Sequence, residues 1–354
     1  MGHRYIGSKS KIIDIITGKI SKLVPKNSTV CDLMTGTGTV AIELANQGFN
    51  VIANDLMTYS YHHAITGLKF DAEPTFSLAG TLFQTEQLTV SNTPYQAVID
   101  YLNESPVEKG YFWREFSVEG EPNHTEKPRN YFTPENAMKI DGIRKRIEYL
   151  LANHFINNQE YSLLLHSLIM AANDVANIAG TYGHYMSKTV KRAEAPITLE
   201  CEDIIIRSNS SAHIVKQGYA EQVSSEITCD LCYIDPPYMK RQYAANYHIL
   251  ETLARGDEPE AIGVSGLRPW RDQYSNFCTK TKIRDSFRKI IGSINCNKFL
   301  ISYSEDGLLS VKDFKELLEP LGELTIETFE HKRFKSNNSK LNNTLAEYLI
   351  LLRT

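Results

Sequence analysis

Short apolar runs that alternate with helix-like stretches are the feature that most constrains the fold of this chain. Seven runs have the length and composition of strands, at Thr29–Leu33, Asn50–Asn54, His213–Lys216, Asp230–Ile234, Lys298–Tyr303, Leu324–Phe329 and Glu347–Leu352. Helical patterns lie between most of them, at Lys9–Leu23, Val40–Gln47, Ser60–Phe70, Lys282–Ile294 and Val311–Glu319. Strands separated by helices favour a sheet covered by helices. We therefore predict a seven-stranded α/β fold of the Rossmann-like kind.

A long stretch, from residue 71 to residue 208, interrupts this alternation. It lacks clear core strands, and it contains a helical pattern after Thr133-Pro134, which suit the N-cap and first helical positions. Its segments Tyr111–Arg114 and Ala179–Tyr185 are polar and aromatic, which suits a contact surface better than a sheet. We expect residues 1–70 and 209–354 to form one domain and residues 71–208 to form a partly helical insert.

A two-glycine turn follows the first predicted strand, in the order Val-Cys-Asp32-Leu-Met-Thr-Gly36-Thr-Gly38. Glycines there let the backbone approach a ligand at the carboxyl end of a strand and the start of a helix. The second predicted strand ends at Asp55, and an acid about twenty residues beyond such a turn is placed to bind ribose hydroxyls. The third glycine of the dinucleotide fingerprint is missing. An adenosyl ligand without phosphates therefore fits better than NAD.

The sequence Asp235-Pro236-Pro237-Tyr238 directly follows an apolar strand. Two prolines fix an extended backbone and donate no hydrogen bonds, so nearby carbonyls stand as rigid acceptors beside a carboxylate and an aromatic ring. This array suits the amino group of a flat base, with acceptors for its two protons and a ring for stacking. An ordinary loop exit is the alternative, and a position at the carboxyl end of a central strand argues against it.

These motifs together resemble the D12 class of DNA adenine-N6 methyltransferases over most of the chain, and in particular the enzymes that accompany restriction endonucleases. The segment from Tyr5 through Gly7 to Lys9 resembles the N-terminal motif, in which an aromatic residue and a lysine contact the cofactor. The remaining matches are the first cofactor motif, the ribose-binding acid and the catalytic tetrapeptide, at Asp32, Met34, Gly36, Gly38, Asp55, Asp235, Pro236, Pro237 and Tyr238.

The resemblance implies S-adenosylmethionine as cofactor, a target adenine flipped out of double-stranded DNA, and target recognition by the insert. It also implies a restriction endonuclease as a possible partner. Two residues depart from the family pattern: Met34 stands where phenylalanine is usual, and Tyr219 stands where an acid is usual. Methylation of cytosine N4 or of an RNA amine, and a catalytically silent DNA-binding subunit, are the alternatives.

Charge supports DNA binding only locally, because the whole chain carries a net charge of −4. Basic runs flank the tetrapeptide in sequence, and we expect Lys240, Arg241, Arg268, Arg271, Lys332, Arg333 and Lys335 to contact phosphates. The pair Cys229 and Cys232 lies in a strand pattern whose thiols diverge, so we expect no metal site. No apolar run approaches the roughly 20 residues that cross a bilayer. We therefore expect no membrane contact and a cytoplasmic, prokaryotic protein.

Overall fold

A seven-stranded sheet forms the centre of the computed structural model, which describes residues 9–80, 93–125, 127–332 and 344–354. The strand order is β3-β2-β1-β4-β5-β7-β6. The strands are β1 (Thr29–Asp32), β2 (Asn50–Asp55), β3 (Ile214–Gln217), β4 (Leu231–Ile234), β5 (Lys298–Ser304), β6 (Glu323–Lys332) and β7 (Thr344–Arg353). All seven predicted strands are present, which confirms the predicted fold class.

The first five strands of the sheet are parallel, whereas β7 is antiparallel to both β5 and β6. Strand β1 pairs with β2 on one side and with β4 on the other. The chain order reverses at this point, and ligands of open α/β sheets bind in the crevice at the carboxyl ends of such strands. The residues after β1 and β4 are therefore expected to line the site.

Twelve α-helices of four or more residues occur within the described residues. They are α1 (Ile13–Leu23), α2 (Thr39–Asn46), α3 (Thr58–Leu68), α4 (Pro94–Asn103), α5 (Tyr111–Phe116), α6 (Pro134–Ala152), α7 (Asn158–Val175), α8 (Ala220–Val223), α9 (Tyr243–Asn246), α10 (His248–Arg255), α11 (Ile283–Ser293) and α12 (Val311–Leu318). The five predicted helices are confirmed, with ends displaced by a few residues. No helix among the described residues is long and apolar enough to cross a membrane.

The chain divides into two compact units. Among the described residues, one contains residues 9–64, 211–243, 273–332 and 344–354, and the other contains residues 65–80, 93–125, 127–210 and 244–272. The first unit holds the sheet, and its buried core includes Phe287 of α11 and Phe314 of α12, whose rings pack edge to face. The second unit thus includes residues 244–272, which the sequence analysis assigned to the sheet domain.

The second unit is built from helices with well-defined ends. Thr133 caps α6 through its side chain, with proline in the first turn, and Asn157 and Glu160 form a reciprocal capping box at the start of α7. Tyr111, Phe112 and Trp113 are buried at 4%, 4% and 8% exposure, so the expectation that they form a contact surface is wrong. Their rings are large and apolar and belong to the core of this unit.

Candidate active site

The tetrapeptide Asp235–Tyr238 lies directly after β4, a strand whose four residues are all buried. Pro236 is buried, and the side chain of Asp235 keeps 17% exposure. Burial raises the pKa of Asp235 to about 6; the ammonium of Lys9 opposes this effect, and the nearby Glu347 carboxylate adds to it. A nearby cation therefore favours the ionised form of a carboxyl group whose burial favours the protonated form.

That cation is Lys9, which lies four residues before α1 begins. Its ammonium Nζ is 3.1 Å from Oδ1 of Asp235 and 2.5 Å from Oε1 of Glu347, and only 6% of its side chain is exposed. Burial lowers the pKa of Lys9, but the two carboxylates outweigh this and raise it above its ordinary value. Lys9 is therefore a positive charge held in contact with Asp235 of the tetrapeptide.

Tyr238 presents a partly buried ring beside these charges. Its ring meets that of the buried Tyr303 edge to face at 5.9 Å, and Nζ of Lys9 lies 5.7 Å from its centroid. The backbone N–H of Leu308 donates to the carbonyl of Tyr238 at 3.1 Å, so the loop after β5 fixes the end of the tetrapeptide. A ring held in this way is suited to stack against a planar base.

The two-glycine turn lies at the carboxyl end of β1. Gly36 and Gly38 have φ values of 54° and 81°, the left-handed region that favours glycine. Asp32 accepts a hydrogen bond from the Thr35 hydroxyl at 3.1 Å through Oδ2, while its buried Oδ1 has no partner among the described residues. Burial raises the pKa of Asp32 to about 7, with Thr35 opposing and the Asp235 and Asp55 charges adding to the shift.

Asp55, at the end of β2, connects two loops of the site. Its Oδ2 accepts from the backbone N–H of Gly36 at 2.8 Å, and its Oδ1 accepts from that of Met57 at 2.9 Å. The neighbouring Asn54, which sequence reasoning did not identify, donates to the carbonyls of Leu33 at 3.0 Å and Gly218 at 3.1 Å. These bonds hold the turns after β1, β2 and β3 together.

The two departures from the family pattern have different surroundings. Met34 is partly buried and packs against the apolar core of the sheet unit, which accounts for an apolar residue at this position. Tyr219 is partly exposed at the start of α8, beside the turn that Asn54 holds. Glu221 accepts a hydrogen bond from the Ser286 hydroxyl at 2.7 Å and is thus bound to α11. It does not simply replace the missing acid.

The charges of this site favour a cationic ligand over a phosphate-bearing one. Lys9 contacts Asp235 and Glu347, and Asp32 lies within coulombic reach of Asp235 and Asp55, so acidic groups outnumber the cation described at this site. S-adenosylmethionine carries a sulfonium and an ammonium, and the partnerless Oδ1 of Asp32 is a ready acceptor for such a group. A pyrophosphate would meet repulsion from the same carboxylates. The residues present therefore fit this cofactor.

The basic residues expected to bind DNA differ in their availability. Arg268 is only 4% exposed; it binds Asp257 through both guanidinium nitrogens, at 2.9 and 2.6 Å, and also contacts Thr252. Burial and pairing with an acid leave little of the Arg268 guanidinium available to a phosphate, which argues against the expected contact. Lys240, Arg241 and Arg271 are exposed, and none has an ion pair among the described residues.

Four expected contacts cannot be placed. Tyr5, Gly7, Arg333 and Lys335 lie outside the described residues, and of Lys332 only the backbone, at the end of β6, is described. Cys229 and Cys232 are buried at 8% and 0% exposure. No cluster of three or more histidine, cysteine or acidic residues suited to a metal ion occurs within residues 9–80, 93–125, 127–332 and 344–354.

Glu347 is the main site residue that the sequence analysis missed as a functional group, although it began a predicted strand. Its signal was a single acid in the apolar run Leu345-Ala-Glu347-Tyr-Leu-Ile, since a charged residue within a central strand needs a buried partner. That partner, Lys9, lies 338 residues away and could not be identified without the fold.

Comparison with known proteins agrees with this geometry. The sequence profile described as "D12 class N6 adenine-specific DNA methyltransferase" matches residues 5–317. The type II methyltransferase M.NlaIII of Neisseria lactamica is 31% identical over 356 residues, a match that covers 98% of each chain. M.CviAII of Paramecium bursaria Chlorella virus 1 is 32% identical over 351 residues, covering 98% of this chain and 97% of that one.

A further relative is longer. The modification methylase StsI of Streptococcus sanguinis is 30% identical over 354 residues, which are 99% of this chain and 52% of StsI, so the chain spans about half the length of that relative. The resemblance expected from the motifs is confirmed by the family profile and by relatives matched along their full length: the chain belongs to the D12 class of N6 adenine-specific DNA methyltransferases.

Proposed function

We propose that this protein transfers a methyl group from S-adenosylmethionine to N6 of an adenine flipped out of double-stranded DNA. The observation that carries the proposal is the position of Asp235–Tyr238 beside the Asp32–Gly38 turn, after the adjacent strands β4 and β1. This crevice is where α/β sheets bind ligands. The groups proposed to bind the target amine and the turn proposed to bind the cofactor follow neighbouring strands. This arrangement favours direct transfer of the methyl group from the cofactor to the amine.

The tetrapeptide would hold the amine by its two N–H groups. Oδ1 of Asp235 already contacts Lys9, whereas Oδ2 has no partner among the described residues. We assign Oδ2 and the carbonyl of Pro236 as the two acceptors, and the ring of Tyr238 as the stacking surface for adenine. Accepting both N–H bonds allows the amine nitrogen to pyramidalise, which turns its lone pair toward the methyl group.

The cofactor supplies a methyl group bound to a positively charged sulfur. Gly36 and Gly38 would allow the cofactor to approach the backbone closely. Oδ1 of Asp32 would accept a hydrogen bond from the cofactor's ammonium, and Asp55 would bind its ribose. The cofactor would supply the methyl group to the nitrogen lone pair, and the C–S electron pair would stay on its sulfur. Asp235, as a fixed anion, would stabilise the positive charge that develops on the nitrogen, and one of the two N–H protons would pass to solvent water.

Double-stranded DNA would be held through its phosphates by Lys240, Arg241 and Arg271, which are exposed and unpaired among the described residues. Arg333, Lys335 and Lys332 stay in the proposed set on sequence grounds, and Arg268 leaves it. We assign target recognition to residues 71–208. The type II relatives support pairing with a restriction endonuclease, and work on genomic DNA would place the protein in a prokaryotic cytoplasm.

The test is single-turnover methylation of duplex DNA by the wild-type protein and by Asp235→Asn, with product nucleosides identified by mass. The amide keeps the shape of the side chain but loses the charge and presents a donor. We expect N6-methyladenine from the wild type and a rate about 100-fold lower or worse from the variant, with DNA binding little changed. Methylated cytosine as the product, or a variant as fast as the wild type, would refute the assignment.

A further inference from the structure

Glu347 is an almost completely buried acid whose carboxylate contacts Lys9, the cation paired with the proposed catalytic residue Asp235. It lies on β7 opposite Ser304 of β5, and 2% of its side chain is exposed. Its Oε1 accepts from Lys9 Nζ at 2.5 Å and from the Ser302 hydroxyl at 3.1 Å. Ser302 and Ser304 are two residues apart and therefore lie on the same face of β5. The pairing of β7 with β5 thus fixes the position of the Glu347 carboxylate beside them.

A buried carboxylate has a large desolvation cost, and a strand interior could accommodate an apolar residue instead. Packing therefore does not explain an acid here. Its ammonium partner is itself buried and has a second contact with Oδ1 of Asp235 at 3.1 Å. Three charged groups thus form one chain, from the carboxylate of Glu347 through Lys9 to Asp235.

The arrangement of these three charged groups determines which oxygen of Asp235 is available to another donor. Because Glu347 holds Lys9 from one side, the ammonium occupies Oδ1 of Asp235 and leaves Oδ2 for another donor. Asp235 and Glu347 are the carboxylates that face Lys9 among the described residues, so without Glu347 no second acid there would confine the ammonium to Oδ1 of Asp235.

We infer that Glu347 is a positioning residue for methyl transfer, which fixes Lys9 on one oxygen of Asp235 and so directs the other oxygen to the target amine. This inference rests on the proposed function. The charged or titratable groups around Asp235 are Lys9 before α1, Asp32 on β1, Tyr233 on β4, Tyr238 after β4 and Glu347 on β7.

Two substitutions of Glu347 separate positioning from charge. Glu347→Ala removes the group that confines Lys9 to Oδ1, so the ammonium keeps its ion pair with Asp235 but is free to shift onto Oδ2. Loss of the Glu347 charge lowers the pKa of Asp235, so the acidic limb of the kcat profile moves down. Glu347→Gln keeps an acceptor for Lys9 and removes one negative charge. Its acidic limb should therefore move down.

The expected rates follow the same logic. Glu347→Ala should lower kcat about 10- to 100-fold, because the acceptor oxygen is misdirected, with a smaller change in KM for the cofactor. Glu347→Gln should recover most of this loss. Glu327→Ala is the matched control, because it also removes a glutamate from a lysine partner, Lys19, but on the partly exposed surface of β6. It should leave the rate and pH profile unchanged.

Thermal unfolding of each variant shows whether it is folded at the assay temperature. If Glu347→Ala does not fold, the isosteric Glu347→Gln decides together with Lys9→Met, which removes the cation that lowers the pKa of Asp235 and should therefore move the acidic limb up. Folded Glu347 variants that methylate adenine with an unshifted acidic limb would overturn the inference while leaving the proposed function intact. A wild-type protein without adenine methylation would refute the proposed function and this inference with it.

Discussion

Two carboxyl groups of the site, Asp32 and Asp235, have pKa values close to neutral pH. Burial raises the pKa of Asp32 to about 7 and that of Asp235 to about 6, and the charge of Asp235 adds to the shift of Asp32. A positively charged ligand interacts with them only when they are ionised. The free protein therefore binds protons at the same place where we expect it to bind its cofactor.

This competition predicts a pH-dependent affinity for S-adenosylmethionine. Both pKa values are raised above the ordinary range, so the carboxyls become protonated as pH falls through 7 and 6. We expect affinity to fall by up to about tenfold per pH unit between pH 7 and 6, and by up to about a hundredfold per unit below pH 6 where both carboxyls are protonated. Calorimetric titrations across this range measure it. Constant affinity would mean that neither carboxylate contacts the cofactor's charges.

Asp55 offers a second test at the level of one side chain. Asp55→Ala removes the acceptor of two backbone N–H groups and the proposed partner of the ribose hydroxyls. We expect cofactor binding to weaken by roughly 1.5–3 kcal/mol, the range for hydrogen bonds to a charged group. Calorimetry with S-adenosylmethionine and with NAD measures the change. Asp14→Ala, on the exposed face of α1, is the control, and equal effects of the two changes would contradict the assignment.

At the scale of elements, the loop after β5 supports the tetrapeptide through tight packing. A Cβ on Gly307 would lie 2.1 Å from Cε1 of Tyr303, whose buried ring packs against Tyr238 and Phe314. The Tyr303 hydroxyl also accepts from the backbone N–H groups of Leu308 and Leu309, so the ring cannot move away easily. The loop, the ring and the tetrapeptide therefore form one packed unit.

Gly307→Ala should destabilise the protein by about 1–3 kcal/mol, the usual cost of overpacking a core. Methylation should slow in the folded fraction, because Tyr238 shares the displaced ring. Gly292→Ala is the matched control: it lies exposed in α11 with nothing within 4 Å of the added Cβ, and it should stabilise by about 0.5–1 kcal/mol. Denaturant unfolding of both variants decides, and a stability of Gly307→Ala equal to the wild type would contradict this packing.

The elements were largely predictable from the sequence because strand and helix periodicity are local. The tetrapeptide and the Asp32 turn could be placed for the same reason, since each directly follows a recognisable strand. Long-range partners were not predictable. The roles of Glu347 and Arg268 depend on Lys9 and Asp257, which no local pattern connects to them. The helix α5 was misjudged because polar neighbours concealed three rings that tertiary packing buries.

At the scale of the whole molecule, DNA binding has to overcome a net charge of −4. Ion pairs neutralise several of the arginines that follow the tetrapeptide in the sequence. Arg255, Arg268, Arg284 and Arg288 are each paired with acids. The exposed Lys240 and Arg241 follow Tyr238 within three residues and are free of such pairs among the described residues. A few local cations should therefore carry most of the phosphate contacts.

We predict salt-dependent binding that two residues largely control. Reversing Lys240 and Arg241 to glutamate should weaken specific and nonspecific duplexes alike. It should also reduce the slope of log affinity against log salt by about 2, because each phosphate that the protein no longer neutralises lowers it by roughly 0.9. The control reverses Lys22 and Lys26, which are exposed just before β1, at the opposite end of the sheet. A slope that is the same for both double variants would show that Lys240 and Arg241 are not phosphate ligands.

The ion pair between Lys9 and Glu347 joins residues separated by 338 positions, and β7 can reach its place only between strands β5 and β6. Lys9 is therefore synthesised 338 residues before Glu347. While translation is under way, the earlier strands and the tetrapeptide can form, but Asp235 lacks its fixed cation. A nascent chain should thus fold much of its sheet before it can act, and cleavage anywhere between the two residues would leave neither fragment with a complete set of charges.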